Sequence, residues 1–292
     1  MSLSPAPLGG AAAAAQGVEP GLALAIASAL ALLGYIWIGL LRARVVDGAP
    51  AARRPMRSVP PMALAWTAQF VALYLDISGY GLATPGARFG FAPALSMTMW
   101  LVLTVYLVES RFLPLHSVRR VLAWLAAAAV LLAWSFPGES RPLAASPWAP
   151  LHWVLGLASY GLFGVAVLHA ALLNRAEQQM RRRQPTPGGL PLLQLERLTF
   201  QFVAAGVGVL SLAILLGWWF TPHWKWDHKN LLAVLCWLVL TGLLVGWRLY
   251  GWRGRRATRW LYAGAGLLLL SYAGSRFVLE VILQRAVAGG GA

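Results

Sequence analysis

The sequence predicts an all-α fold: a polytopic membrane helix bundle of about eight transmembrane helices with both termini outside. Three observations carry this. First, 59% of the 292 residues are hydrophobic and only 11% are charged, against about 25% charged in an average soluble domain. Second, the apolar residues collect into eight runs, each long enough to cross a hydrocarbon core of about 30 Å as a helix. Third, the basic residues alternate in density from one inter-run link to the next.

The runs fall at about Gly21–Leu41, Pro61–Leu82, Ala92–Val108, Arg120–Phe136, Leu151–Leu173, Leu198–Phe220, Lys229–Tyr250 and Trp260–Leu283. They divide the chain into a disordered N-terminal tail (1–20), a transmembrane bundle domain (21–283) and a C-terminal tail (284–292). Pro60 and Pro61 open the second run, where a missing N–H is tolerated. The fifth link, with Pro185, Pro187, Gly188, Gly189 and Pro191, reads as a flexible arm. Asp227 stands where a carboxylate can cap the seventh helix. No internal repeat and no inserted soluble domain is visible.

The net charge of +15 at first suggests nucleic acid, but the charges sit in the links and read as topology signals. The odd links carry eighteen Lys or Arg, among them Arg42, Arg111, Arg181 and Arg253, and the even links carry four: Arg88, Arg141, Lys225 and Lys229. Positively charged links stay in the cytoplasm, so the even links face outside. The lone cysteine, Cys236, lies inside an apolar run and excludes an internal disulfide, a CxxC redox pair and covalent c-type haem attachment on this chain. No phosphate loop, zinc signature or nucleophile–base spacing is present. Ordinary catalysis is therefore not expected.

The most informative stretch is Trp218–Asn230, on the outer face by this topology. It holds Trp218, Trp219, Trp224, Trp226, His223, His228, Lys225, Lys229 and Asp227 within thirteen residues. Tryptophans belong at membrane interfaces, so an aromatic belt accounts for them as well as a stacking platform for a flat ligand does. Histidines at a helix mouth are less easily structural, and imidazole is the commonest nitrogen ligand of haem iron. His152 opens the fifth run and His228 the seventh, both at the outer boundary. Two such imidazoles can take opposite faces of a non-covalent b-type haem. His223 lies on the loop and ranks below them; His116 lies in a basic link and reads as solvated.

His169 follows His152 by seventeen residues, about 25 Å along a helix, near the inner edge. It either ligates an inner haem or bonds a neighbouring helix. Asp76 and Arg276 lie within runs, and intramembrane charges mark functional sites by default. Either Asp76 and Arg276 neutralise each other, or Arg276 pairs with Glu280, or Arg276, Lys225 or Lys229 meets haem propionates.

Two stretches carry a family resemblance. Leu151-His152-Trp153-Val154-Leu155-Gly156-Leu157-Ala158-Ser159-Tyr160-Gly161 resembles the His-led, Ser-Tyr-containing helix of the CcsA/ResC-type cytochrome c assembly proteins. Trp224-Lys225-Trp226-Asp227-His228-Lys229 resembles the end of their tryptophan-rich loop, with His228 at its proline position. The Asp-His-Lys triplet, the run Tyr250–Arg256, the stretch Leu192–Gln201 and the ending Tyr272-Ala273-Gly274-Ser275-Arg276-Phe277-Val278-Leu279-Glu280 are similar to the short eight-helix branch, the YpjD/HemX-like inner membrane proteins.

The resemblance implies haem handling in c-type cytochrome maturation at a bacterial cytoplasmic membrane. His152 and His228 would be the axial ligands. Trp218, Trp219, Trp224, Trp226 and Asp227 would lie around the haem, and Lys229 and Arg276 at its propionates. Apocytochrome c or other maturation subunits would be partners. The histidine that larger members carry after the loop is absent, with Trp247 and Arg248 in that region. The implied role is therefore haem binding or chaperoning rather than full haem-lyase activity. The alternative is a scaffold or regulator of membrane-complex assembly that binds no haem. A proton- or ion-coupled transporter using Asp76 and Arg276 is disfavoured, since no repeat or broken-helix pair is visible.

Overall fold

A computed structural model describes residues 10–41, 59–79, 87–113, 115, 118–141, 146–182, 191–221 and 226–278. Eight long helices run through them: α1 (Gly10–Leu40), α2 (Val59–Ser78), α3 (Phe91–Glu109), α4 (Arg119–Ser135), α5 (Ala149–Arg181), α6 (Leu192–Phe220), α7 (His228–Tyr250) and α8 (Gly254–Leu269). A π-helical turn, Leu270–Gly274, and a last α-turn, α9 (Ser275–Phe277), continue α8. Five helices, α1, α3, α5, α6 and α7, are long and apolar enough to cross a membrane. The chain is thus a helical membrane protein.

Helix α1 takes in the Ala11–Ala15 run that the sequence reading left to a disordered tail; alanine is the strongest helix former. The all-α expectation also misses one small ladder. Strands β1 (Ala87–Phe89) and β2 (Glu139–Arg141) pair antiparallel, with Arg88 opposite Ser140. Three residues are too few for alternation to announce a strand.

The ladder joins the second and fourth links at one end of the bundle. At the opposite end Arg120 Nε donates to the Gly39 carbonyl at 3.1 Å, and Arg253 pairs with Glu196 at 3.2 Å. Odd and even links therefore gather at opposite ends.

The two larger apolar clusters among the described residues form most of the interior. One joins α1–α4 around Tyr35, Met62, Leu103 and Leu122. The other joins α5–α8 around Phe163, Val203, Leu240 and Leu261. Outside, large apolar side chains face away from the protein: Leu64 is 72% exposed and Leu33 63%. This suits hydrocarbon, and it leaves packing rather than water exclusion to hold helices together. Gly206 shows how close that packing is. A Cβ there would sit 2.5 Å from the Phe163 ring. Gly251 adopts φ +62 and ends α7 with a left-handed cap, its neighbour's N–H returning to the Gly246 carbonyl at 3.1 Å.

The intramembrane charges find partners that the sequence reading did not assign. Asp76 pairs with Arg88 of β1 at 3.1 Å, and Arg88 Nε donates to the Gly138 carbonyl at 3.0 Å. The Asp76–Arg276 pairing is therefore replaced by Asp76–Arg88, because the ladder brings Arg88 over the end of α2. His169 is fully buried. Its Nε2 meets Glu109 Oε2 at 3.1 Å, its Nδ1 donates to the Val165 carbonyl at 3.0 Å, and its ring stacks on Phe202.

Candidate functional site

A cavity of about 200 Å³, partly open, lies between α3, α5, α6, α7 and the end of α8. Helix α5 offers it His152, Gly156 and Tyr160, spaced by four residues and so on one face. Leu95 of α3, Ile214 of α6 and Val234 of α7 supply apolar wall. Lys229 from the first turn of α7, and Tyr272 and Arg276 from the irregular end of α8, complete it.

His152 is half-buried, and its orientation is fixed. Nδ1 lies 2.9 Å from the Ala213 carbonyl, an acceptor only, so Nδ1 carries the hydrogen and the lone pair is on Nε2. Phe220 meets the ring edge-on at a centroid distance of 5.6 Å. Gly217 is the third support: a Cβ there would sit 2.9 Å from His152 Cε1 and 3.2 Å from Nδ1. A larger residue at 217 would take the space the imidazole uses.

The cationic side of the cavity is organised around Tyr272. Lys229 Nζ lies 5.6 Å from the ring centroid and Arg276 Cζ 6.0 Å, both near the ~6 Å limit for cation–π attraction. Ser271 Oγ donates to the Lys229 carbonyl at 3.0 Å, tying the end of α8 to the start of α7. An imidazole with a directed lone pair, apolar walls and two cations is a donor set suited to a flat, largely apolar ligand that bears a metal and carboxylates.

A family model for cytochrome c assembly proteins matches residues 65–283. The chain belongs to the cytochrome c assembly protein family. Among relatives, the inner membrane protein YpjD of Escherichia coli (strain K12) is 34% identical over 149 residues, covering 48% of this chain and 55% of that protein. A 28.8 kDa protein of Azospirillum brasilense is 29% identical over 144 residues, covering 47% of this chain and 53% of its own length. The cytochrome c biogenesis protein CcsA of Synechococcus sp. (strain JA-3-3Ab) is 30% identical over 107 residues, covering 32% of this chain and 31% of its own. The chain thus spans about half the length of the first of these relatives. No solved structure gives a significant match.

Within this assembly-family frame, the sequence-derived site divides. His152, Lys229 and Arg276 come together around one cavity. His228, the first residue of α7, is exposed and is not part of the cavity lining. Trp218, Trp219 and Trp226 are 63%, 79% and 70% exposed and also stand outside it. Asp227 caps α7, its Oδ1 accepting the Asn230 N–H at 2.9 Å, which is the cap reading made from sequence. Trp224, His223, Lys225, His116 and Glu280 lie outside the described residues.

Sequence reasoning missed Trp153, Tyr160, Asn230 and Tyr272 as cavity residues. The family-like motifs containing Tyr160 and Tyr272 were visible, but nothing in either motif says that they meet.

Proposed function

We propose that this protein binds and presents haem in support of c-type cytochrome assembly, at the outer face of a bacterial inner membrane. The observation that carries the reading is the His152 imidazole, held through Nδ1 with its Nε2 lone pair free of the tautomer's hydrogen, in the same cavity as Lys229 and Arg276. Hydrogen bonding of the remote nitrogen is the usual way a protein orients a metal-bound histidine.

In this reading all eight long helices span, the odd links are cytoplasmic and both termini are outside. His152 Nε2, on α5, would hold the iron. Lys229 and Arg276 meet the carboxylates, and the apolar walls exclude water from the porphyrin plane. The open side lets a flat ligand larger than the enclosed space stand partly outside, beside the exposed tryptophans. His228, exposed at the first residue of α7, would be the second residue to hold the iron. Haem, when bound, supplies a redox-active iron. The chain's part is binding, orientation and release to an apocytochrome c or another maturation subunit.

The test is a visible spectrum of detergent-purified protein, oxidised and dithionite-reduced, before and after haemin addition, with a pyridine haemochrome assay. The expected result is a Soret band with sharp reduced α and β bands. A flat spectrum that haemin does not change favours instead a scaffold that binds no haem.

Gly217→Ala checks the imidazole's support. The added methyl contacts the ring, so haemin affinity should fall by about 10-fold, the lower range for disturbing the support of a metal ligand. The helical circular dichroism should stay unchanged. Equal haemin titrations for wild type and variant would mean that the orientation of His152 does not matter.

A further inference from the structure

Two stretches 108 positions apart meet at the inner wall of the cavity. Tyr160 of α5 donates its hydroxyl hydrogen to the Leu268 carbonyl at the end of α8. In an α-helix the Leu268 carbonyl would take the Tyr272 N–H, four residues on. Here the Leu268 carbonyl accepts the hydrogen of the Tyr160 phenol. Side-chain insertion of this kind opens helices, and the opening is present. Leu270–Gly274 is a π turn, in which the Ser275 N–H returns five residues to the Leu270 carbonyl.

The turn changes what the helix presents. One wider turn rotates everything after it by roughly a quarter of a turn relative to a regular α-helix. Both Tyr272, inside the turn, and Arg276, after it, line the cavity. Ser271, also inside the turn, holds the Lys229 carbonyl. The two cations are therefore placed by one distorted segment, and the group inserted into that segment belongs to the helix that carries His152.

We infer that Tyr160 is a positioning residue. Its hydroxyl holds the end of α8 open as a π turn, and this sets Arg276 and Tyr272 against Lys229 as a receptor for paired carboxylates. The inference rests on the haem-handling reading for the identity of the carboxylate ligand. The turn itself does not depend on that reading.

Tyr160→Phe removes the hydroxyl and keeps the ring. The probes are haemin and haemin dimethyl ester, in which methylation removes the charge of both carboxylates. Wild type should bind haemin roughly 10- to 100-fold more tightly than the ester, the range for hydrogen bonds to charged groups. Tyr160→Phe should bind the two within about 3-fold of each other, while the Soret position set by His152 stays in place, because the cation contacts and not the iron ligand are lost. Hydrogen exchange without ligand supplies the second readout. Amides of 268–277 should exchange about 10-fold faster in Tyr160→Phe, as expected for loss of one hydrogen bond, with the middle of α6 unchanged.

Ser271→Ala, which cuts the other tie, should shift both readouts in the same direction by less. It also serves if Tyr160→Phe does not fold. Full ester discrimination with unaltered exchange in the variants would overturn the inference. If wild type binds neither haemin nor its ester, the haem reading and the carboxylate receptor fall together, and the exchange result alone decides whether the hydroxyl holds the turn.

Discussion

His152→Ala is expected to abolish the haemin-induced Soret band, or to weaken binding by more than about 100-fold, since loss of a mere outer partner of a metal ligand costs roughly 10- to 100-fold. The geometry makes this the largest effect on function. His152 is the histidine among the described residues that lines the cavity, and its Nδ1 bond to the Ala213 carbonyl leaves the Nε2 lone pair directed away from that anchor. His228→Ala is the comparison. His228 is exposed at the first residue of α7, so its loss should leave haem bound but change the reduced α and β bands as one axial ligand is removed. Identical spectra for His228→Ala and wild type would take His228 out of the ligand set. Identical spectra for His152→Ala and wild type would overturn the site.

His169→Leu is expected to give the largest loss of stability, about 3–5 kcal/mol, the range for removing one partner of a buried ion pair. His169 is fully buried, and the Glu109 carboxylate opposite it is 13% exposed. Without the imidazole, the carboxylate is left in apolar surroundings between α3 and α5. Replacing both partners, in His169→Leu with Glu109→Leu, should recover much of the loss. The measurement is a thermal or denaturant melt in detergent, followed by helical ellipticity. Haem content should be unaffected in the double variant, because Glu109 occupies the Nε2 that an inner haem would need. Loss of part of the haem in a folded double variant would show that His169 serves a cofactor after all.

The fates of Asp76 and Arg276 show how sequence reading can identify charges without pairing them. Both residues sit within apolar runs, and their pairing with each other is one of the readings the sequence leaves open. The ladder of Ala87–Phe89 with Glu139–Arg141 instead delivers Arg88 to Asp76. Arg276 lines the cavity. Depth along a helix follows from counting residues, but the neighbour at that depth depends on which helices pack together. The same limit applies to the tryptophans. Their place at a helix mouth was legible in the sequence, and their outward exposure was not.

By itself the sequence determined the class of this protein and the position of most of its elements. Long apolar runs with few charges have to become helices in a bilayer, because no other backbone conformation in them satisfies its own N–H and C=O groups there. It also determined the cap at Asp227, whose carboxylate needs only the N–H three residues on, and the motifs that place the chain among cytochrome c assembly proteins. These are local properties, readable one helix at a time. Tertiary structure decided which motif residues share a cavity. It joined His152 to Lys229 and Arg276, kept His228 on the outside, and gave His169 to Glu109. It also brought the Tyr160 phenol to the Leu268 carbonyl near the end of α8. Contacts between helices in a membrane rest on close packing and a few polar bonds rather than on a directional hydrophobic pattern, so no periodicity in one helix announces the partner on another.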